Sequence, residues 1–368
     1  MKYLVLTALL IPAVVFAQSR DKLNPSQLAV KELKLGIEKT ARSEIKLPFE
    51  KIKIIDSRYD TSKIGYITLG SFFSSKTRFF KKMVLQDGTG NAIENYYNEY
   101  YTGSFTKNGF ELLIVLKRFW ISGDARSNSK RVELTNAAKT NDNVYCKLEY
   151  YIGKDGKFLP VKRVDSIIGV SDDFRKLNDI GAFEDDEKIV KKTVSFLTYT
   201  LRGLIEFLDY SNAIKQFDGQ AKKTLQEIHE FNERMNKIPV LQDNTIKKGV
   251  YLSFDEFKNN RPSIIEFQEK KMRYKTINTE KYLENRNGET ISNYWGYSNG
   301  EEFRYGMLGN DKVYRIQNTF CFFIKVESYA ISSGNQGAYG GSGINSTSKE
   351  KFHVWVPYQI DMETGQIY

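Results

Sequence analysis

Two cysteines and two histidines in 368 residues leave this chain short of the side chains that most metal and nucleophilic sites use. A disulfide framework, a zinc ribbon and a thiolate cluster are excluded, since each needs several such residues. No metal site and no other cofactor is expected. Seven prolines and 26 glycines are too few for a collagen-like or low-complexity chain. Apart from the amino terminus there is no long uncharged apolar run, so no membrane-spanning helix is expected in the mature chain. Charge of one sign is not concentrated either. Lys and Arg number 55 against 45 Asp and Glu, a net charge of +10, but the basic residues are dispersed. A nucleic-acid binder would gather them into a stripe or tail, so nucleic acid is not an expected partner. Dispersed basic charge reads as a solvated surface, or as attraction to anionic lipid or polysaccharide.

What is present is apolar and aromatic. Hydrophobic residues make up 40% of the chain and aromatic ones 14%, enough to bury a sizeable core. The first residues, MKYLVLTALLIPAVVFAQSR, put Lys2 before an apolar run. Val15 and Ala17 are small residues at the −3 and −1 positions of a cut before Gln18. This predicts a secretory signal peptide over residues 1–17, hence an exported protein, periplasmic or extracellular. No cysteine stands at the cut to carry a lipid. Cys146 and Cys321 each sit in an apolar, strand-like stretch, which favours two separately buried thiols over a disulfide.

The hydrophobic pattern predicts an α+β fold. Asn24 and Pro25 suit the start of a helix running to Arg42, with Leu28, Leu33, Leu35 and Ile37 as its apolar side. KIKIID (51–56) and KIGYITLG (63–70) alternate as strands. Residues 91–105 read as a helix, and FELLIVLKRFWIS (110–122) is apolar enough for a central strand. Residues 144–170 form two strands around an Asp155-Gly156 turn. Glu184, Asp185, Asp186 and Glu187 load the start of a long helix, and Ile189, Val194, Leu197, Leu201, Leu204 and Leu208 lie along its apolar stripe. A second helix, 221–236, carries Leu225, Ile228, Phe231 and Met235. Residues 237–248 contain Pro239 and little pattern, which places a boundary there. The expected organisation is an N-terminal α/β domain with long amphipathic helices (18–238) and a β-rich antiparallel domain (249–368). In the second, strands are expected at 271–277, 291–297, 302–308, 313–330 and 352–360. Asn287-Gly288, Asn299-Gly300 and Gly309-Asn310 are the hairpin turns, and 332–348 is a flexible Gly/Ser loop.

The stretches GVYLSFDEFKNNRPSI (249–264), YWGYSNGEEFRY (294–305) and NTFCFFIKV (318–326) resemble a group of uncharacterised secreted proteins of Bacteroidota. The likeness covers the last third and brings no activity and no site residue with it. IIDSRYDTSKIGYI, a following helix and NGFELLIVL resemble the YajG-type envelope lipoproteins, although the lipid-bearing cysteine is absent. That resemblance implies an α/β envelope domain of accessory, non-catalytic kind.

Gly296-Tyr297-Ser298-Asn299-Gly300 fits G-x-S-x-G, with Asp311 and His353 following in the chain order of a hydrolase triad. A nucleophile there needs a strand–turn–helix, and EEFRYGML alternates like a strand, so a hairpin is expected instead. His229 sits among Glu227, Glu230 and Glu233 and reads as a solvated helix residue. The 184–187 acids lack the spacing and Gly of a calcium loop. Gly334–Gly343 lacks the Lys-Ser/Thr pair of a phosphate loop. The aromatics remain: Tyr294, Trp295, Tyr297 and Tyr305 cluster around the turn as a candidate platform for a glycan or protein partner. Core filling is the competing reading of the same rings. The function expected is therefore a non-catalytic exported envelope protein, a binding or accessory module; a secreted hydrolase acting through Ser298 or through carboxylates is the alternative.

Overall fold

The computed structural model describes residues 27–36, 45–69, 79–107, 109–122, 143–169, 186–273, 279–306, 311–333 and 347–368. The amino-terminal 1–26, the Gly309-Asn310 turn and the center of the Gly/Ser loop, 334–346, lie outside them. The fold is α+β with a β-rich majority. Strands β1 (Val30–Leu33), β2 (Lys51–Asp56), β3 (Gly65–Leu69), β4 (Phe79–Leu85), β5 (Glu111–Ser122), β6 (Asn143–Lys154), β7 (Lys157–Gly169) and β8 (Lys223–Thr224) build one mixed sheet. Its order is β1-β4-β3-β5-β6-β7-β8, with β2 also paired to β5. Helices α1 (Thr89–Tyr100), α2 (Asp186–Glu206), α3 (Ser211–Lys215) and α4 (Leu225–Met235) belong to the same half of the chain.

β5 is central, as its composition predicts. Leu112, Ile114 and Leu116 join the core beneath α1 and α2, while Leu113 and Val115 face the other way and pack with Ile228 of α4. A strand covered on both faces needs a continuous apolar run rather than alternation. Gly65 allows β3 to cross β5 closely: a Cβ there would stand 2.3 Å from the Ile121 carbonyl oxygen. The β6–β7 hairpin turns through Asp155 and Gly156, both at positive φ, as the Asp-Gly pair predicts.

Part of the aromatic excess is spent on seating α2. Tyr96 and Tyr97 of α1 donate their hydroxyls to the Thr198 and Leu201 carbonyls of α2, at 3.3 and 2.8 Å. Tyr150 from β6 and Tyr210 donate to the Leu204 and Ile205 carbonyls, both at 3.0 Å. Burial pushes these hydroxyls up, Tyr96 to about 12, so they remain donors throughout the physiological range. Each such bond contributes about 1 kcal/mol and fixes α2 in register on the sheet.

The second half holds α5 (Pro239–Gln242), β9 (Gly249–Tyr251), α6 (Phe254–Lys258), β10 (Phe267–Arg273), β11 (Thr279–Asn285), β12 (Thr290–Ile291), β13 (Gly296–Ser298), β14 (Phe303–Tyr305), β15 (Asp311–Ile316), β16 (Thr319–Ser333) and β17 (Thr347–Ile360). They form an antiparallel sheet ordered β17-β16-β15-β14-β13-β9 and a small β10-β11-β12 sheet.

Several expectations are corrected. Where a helix is expected over 24–42, the described residues include a strand instead, β1, which pairs in parallel with β4 and buries Leu33; the two-residue spacing of Leu33 and Leu35 is a strand signal. α4 starts at a Thr224–Glu227 capping box and buries Ile228 and Asn232, while Leu225 and Met235 are exposed. Run 313–330 is two strands, because Gln317 adopts positive φ and closes a tight turn. Run 291–297 is split between two sheets. The stretch 237–248 is not wholly a linker: Ile238, Val240 and Leu241 are buried in the core of the second half.

Candidate functional site

The aromatic residues around the Ser298 turn fill the interior. Trp295, Tyr297 and Tyr305 are 8, 0 and 3% exposed. Trp295 and Tyr305 pack with Phe257, Phe303 and Phe322, and Tyr297 packs with Leu283 and Ile291 beneath the small sheet. Tyr294 is half-buried, 6.0 Å from the Tyr297 ring centroid. The surface platform expected of these four is therefore not formed. Tyr297, on β13, faces the small sheet, while Trp295, just before the strand, packs on the opposite side with Phe257 and Phe303, so the rings are buried on both sides.

Among the described residues no base is hydrogen-bonded to the Ser298 hydroxyl. It ends β13, and the row across the sheet runs Ser298–Phe303–Val313–Phe322–Tyr358. Four strand spacings, about 19 Å, separate it from β17. His353 lies five residues from Tyr358 on that strand, a further ~17 Å. Asp311 stands opposite Tyr305 on β15. The Ser298 hydroxyl instead accepts from the Gly300 amide at 3.1 Å and donates to the Ile246 carbonyl at 3.4 Å. The hairpin loop is four residues, 299–302, with the Asn299 side chain accepting from the Glu301 and Glu302 amides and only Gly300 at positive φ. Ser298→Ala is accordingly expected to lower stability by about 1 kcal/mol, read by thermal melting, and to leave any ester hydrolysis unchanged.

Two other places gather chemistry-bearing side chains. One is the junction of the two halves. Arg58 is held by Asp56 in a fork and donates to the Lys63 carbonyl and the Thr89 hydroxyl. Lys63 pairs with Asp60, both nearly fully buried. Arg118 meets Asp361 at 2.5 Å, Lys147 pairs with Glu363, and Tyr368 donates to Asp361. Burial, then Glu363 and Asp361, push the Tyr59 hydroxyl up to about 12. Burial opposes ionisation of Glu363, but its bond to Lys147 prevails and holds its carboxyl below the usual range. The cavity lined by Arg58, Asp60, Arg118, Asp361 and Glu363 is open to one side and about 50 Å³, room for a few waters. Its carboxylates are matched by cations, so none is poised as a general acid.

The other is a groove of about 740 Å³ between α2 and β7. Tyr199, Gly203 and Phe207 are spaced four apart and form a column on the outer side of α2, about 12 Å long. Tyr199 and Phe207 are 48 and 49% exposed, far more than the tyrosines of the core. Gly203 between them leaves a gap, since a Cβ there would meet nothing within 4 Å. The Lys162 ammonium lies 5.7 Å from the Phe207 ring centroid, and the Arg202 guanidinium 5.3 Å from that of Tyr100. The column leaves a trace in the sequence, two aromatics flanking a glycine off the apolar stripe, that is not among the candidate site residues above.

His229 is a solvated helix residue, 3.1 Å from Glu233. Cys146 and Cys321 are both buried and free, and burial pushes the Cys146 thiol up to about 11. Among the described residues no group of His, Cys, Asp and Glu could hold a metal ion, and no helix is long and apolar enough to cross a membrane.

No family model and no curated protein matches the chain. Among solved structures, the crystal structure of a Xanthomonas campestris protein of family DUF330 is similar, at 9% identity and a TM-score of 0.29. The alignment covers 52% of this chain and 100% of that one. A likeness at that score carries no argument about function.

Proposed function

We propose that the chain is an exported binding or accessory module of the cell envelope, non-catalytic, with its ligand groove between α2 and β7. The observation that carries this reading is the groove itself: half-exposed rings flank an open glycine floor, with cations beside them. Solvent-exposed aromatic rings are costly unless covered, and monomeric proteins keep such patches small. The catalytic alternative lacks support of this kind, since among the described residues no base is bonded to Ser298 and the junction carboxylates are ion-paired. A photo-cross-linking benzophenone side chain in place of Phe207, in the native host, should give a covalent adduct. The same group in place of Ile265, which is 67% exposed in the other half, serves as control. Equal labelling at both positions, or none at Phe207, would reject the groove as the site.

Export rests on Lys2, the apolar run after it and the small residues Val15 and Ala17. Amino-terminal sequencing of protein from the native host is expected to begin at or near Gln18; intact Met1 in the cytosol would contradict it. The same reading holds 18–238 and 249–368 to be separate domains, because among the described residues no strand is shared between their sheets. With Ile238, Val240 and Leu241 buried, limited proteolysis should cut at 243–248 or in 332–348 and spare α2.

A further inference from the structure

β7 is an edge strand over most of its length. It pairs with β6 from end to end, but with β8 only at Lys157 and Phe158. From Leu159 to Gly169, among the described residues, no strand lies on its outer side. Such an edge presents a row of backbone donors and acceptors to any chain that can lie beside it. Natural edges are blunted by proline, charge or a bulge. Here Pro160 and a register shift opposite Tyr150/Tyr151 blunt the first part only. The rest, Val164 to Gly169, carries Ile167 at 48% exposure and a half-buried Ile168, and its one charge, Asp165, is engaged by Arg118 and Lys147.

This open edge is also one wall of the groove. Lys162, Val164, Ser166 and Ile168 project toward the α2 side, and α2 supplies the opposite wall. A groove between a sheet edge and a helix is the geometry in which an extended peptide adds as a strand, with alternate side chains entering the groove. The charge in the groove fits one sign of partner. Lys162, Arg163 and Arg202 line it against two acids, Asp165, which Arg118 and Lys147 engage, and Glu206, which accepts from the Tyr101 hydroxyl at 3.3 Å. The Thr200 hydroxyl, in a side chain 2% exposed, lines the same groove without a hydrogen-bond partner.

We propose that the outer edge of β7, from Lys162 to Gly169, takes up an extended segment of a partner protein as an added strand, with apolar side chains over Gly203 between Tyr199 and Phe207 and an acidic one against Lys162 and Arg202. The proposal rests on the groove being the binding site and names its occupant. A glycan would stack on the same rings but has no use for a row of backbone amides, and the open edge decides for the peptide.

The test pans a random displayed peptide library on the full chain, with the Gly203→Gln chain as counter-selection. Glutamine is a good helix former and Gly203 is open, so this variant is expected to melt no lower than the parent while its side chain fills the groove. Enriched peptides should alternate apolar residues and carry Asp or Glu. Their affinity should fall roughly tenfold in Arg202→Glu and be lost in Gly203→Gln. Their binding should slow amide exchange at Val164–Ile168. An N-methylated backbone should abolish binding, because it removes the donors of the added strand. The proposal is overturned by no enrichment over the Gly203→Gln chain, by enrichment of basic peptides, or by binding that leaves β7 exchange unchanged. It is also overturned by an oligo-uronate that competes for the groove, or by a dimer in sedimentation whose β7 edges pair with each other. A photoadduct at Phe207 alongside any of these would leave the groove standing as a site with a different occupant; absence of the adduct removes the site itself.

Discussion

Asp60→Ala is expected to destabilise the fold by about 3–5 kcal/mol, because it strands a buried ammonium. The Lys63 side chain is 1% exposed and that of Asp60 3%. Around the Lys63 ammonium stand the Tyr66 and Trp120 rings, with centroids at 5.9 and 5.8 Å. These faces attract a cation but cannot replace its hydration. Asp60 does more than neutralise it: its other oxygen accepts from the Ser62 amide and hydroxyl, at 2.9 and 2.5 Å, and closes the loop between β2 and β3. A buried pair contributes little over an apolar pair of the same shape, whereas breaking it is costly. Asp60→Leu with Lys63→Met should therefore recover most of what either single change loses. Urea denaturation followed by fluorescence, with Trp120 at the pair, reads both. A loss under about 1 kcal/mol in Asp60→Ala would mean that water reaches Lys63 and that the pair behaves as an exposed one.

How much of this was legible in the sequence can be argued from these residues. Asp56, Arg58 and Asp60 read as turn material, and the chain does turn there. What the local pattern could not carry is that the turn lies under the second half of the chain, where its charges are buried. Burial is a property of the tertiary fold, and a charged pentapeptide looks the same in water as under a sheet. The strands with continuous or alternating apolar runs, β2, β3, β5, β6 and β7, were legible because their signal is local. β1 was missed because four residues with one buried leucine hardly alternate at all, and its parallel partner is some 50 positions away. Ser298 was legible as a hairpin residue, though not the length of its loop. The platform of Tyr294, Trp295, Tyr297 and Tyr305 failed because tyrosine and tryptophan mark interior and surface equally well. The groove draws on β7 and α2, elements whose approach the sequence does not announce. Its trace there is the Tyr199–Gly203–Phe207 column, which puts a helix-weakening glycine between two rings outside the buried stripe.

Tyr368→Ala should rank with Asp60→Ala in effect and act on the joint between the halves. Residues 361–368 turn back beside β17: Tyr368 and Gln359 exchange backbone hydrogen bonds at 3.0 and 3.1 Å, and the Asp361 amide donates to the Gln366 carbonyl at 2.7 Å. The turn delivers the Tyr368 ring into the first sheet, 4.8 Å from the Tyr145 centroid and 6.2 Å from that of Trp120. The Arg118 guanidinium lies over the ring at 5.6 Å. Losing a buried aromatic costs about 3–5 kcal/mol, and here it also leaves Asp361 without its hydroxyl donor. Tyr368→Phe keeps the ring and should lose only the hydrogen bond to Asp361, about 1–3 kcal/mol since the acceptor is a charged, buried carboxylate. The joint also carries a pH dependence. Glu363 is held below the usual carboxylate range in the folded chain, so its contribution is fully present above the unfolded value of about 4.3 and is lost as pH falls through the lower folded value. Folded protein then binds fewer protons than unfolded in that window, and stability must rise with pH across it. Glu363→Gln should melt lower at neutral pH and show a flatter acid limb than the parent. In Tyr368→Ala, limited proteolysis at 243–248 should accelerate as the two halves lose their clasp. A Tyr368→Ala chain that melts with the parent and is cut no faster would show that the other contacts between the halves, Lys147–Glu363, Arg118–Asp361 and Tyr66–Cys321 among them, hold the joint without it.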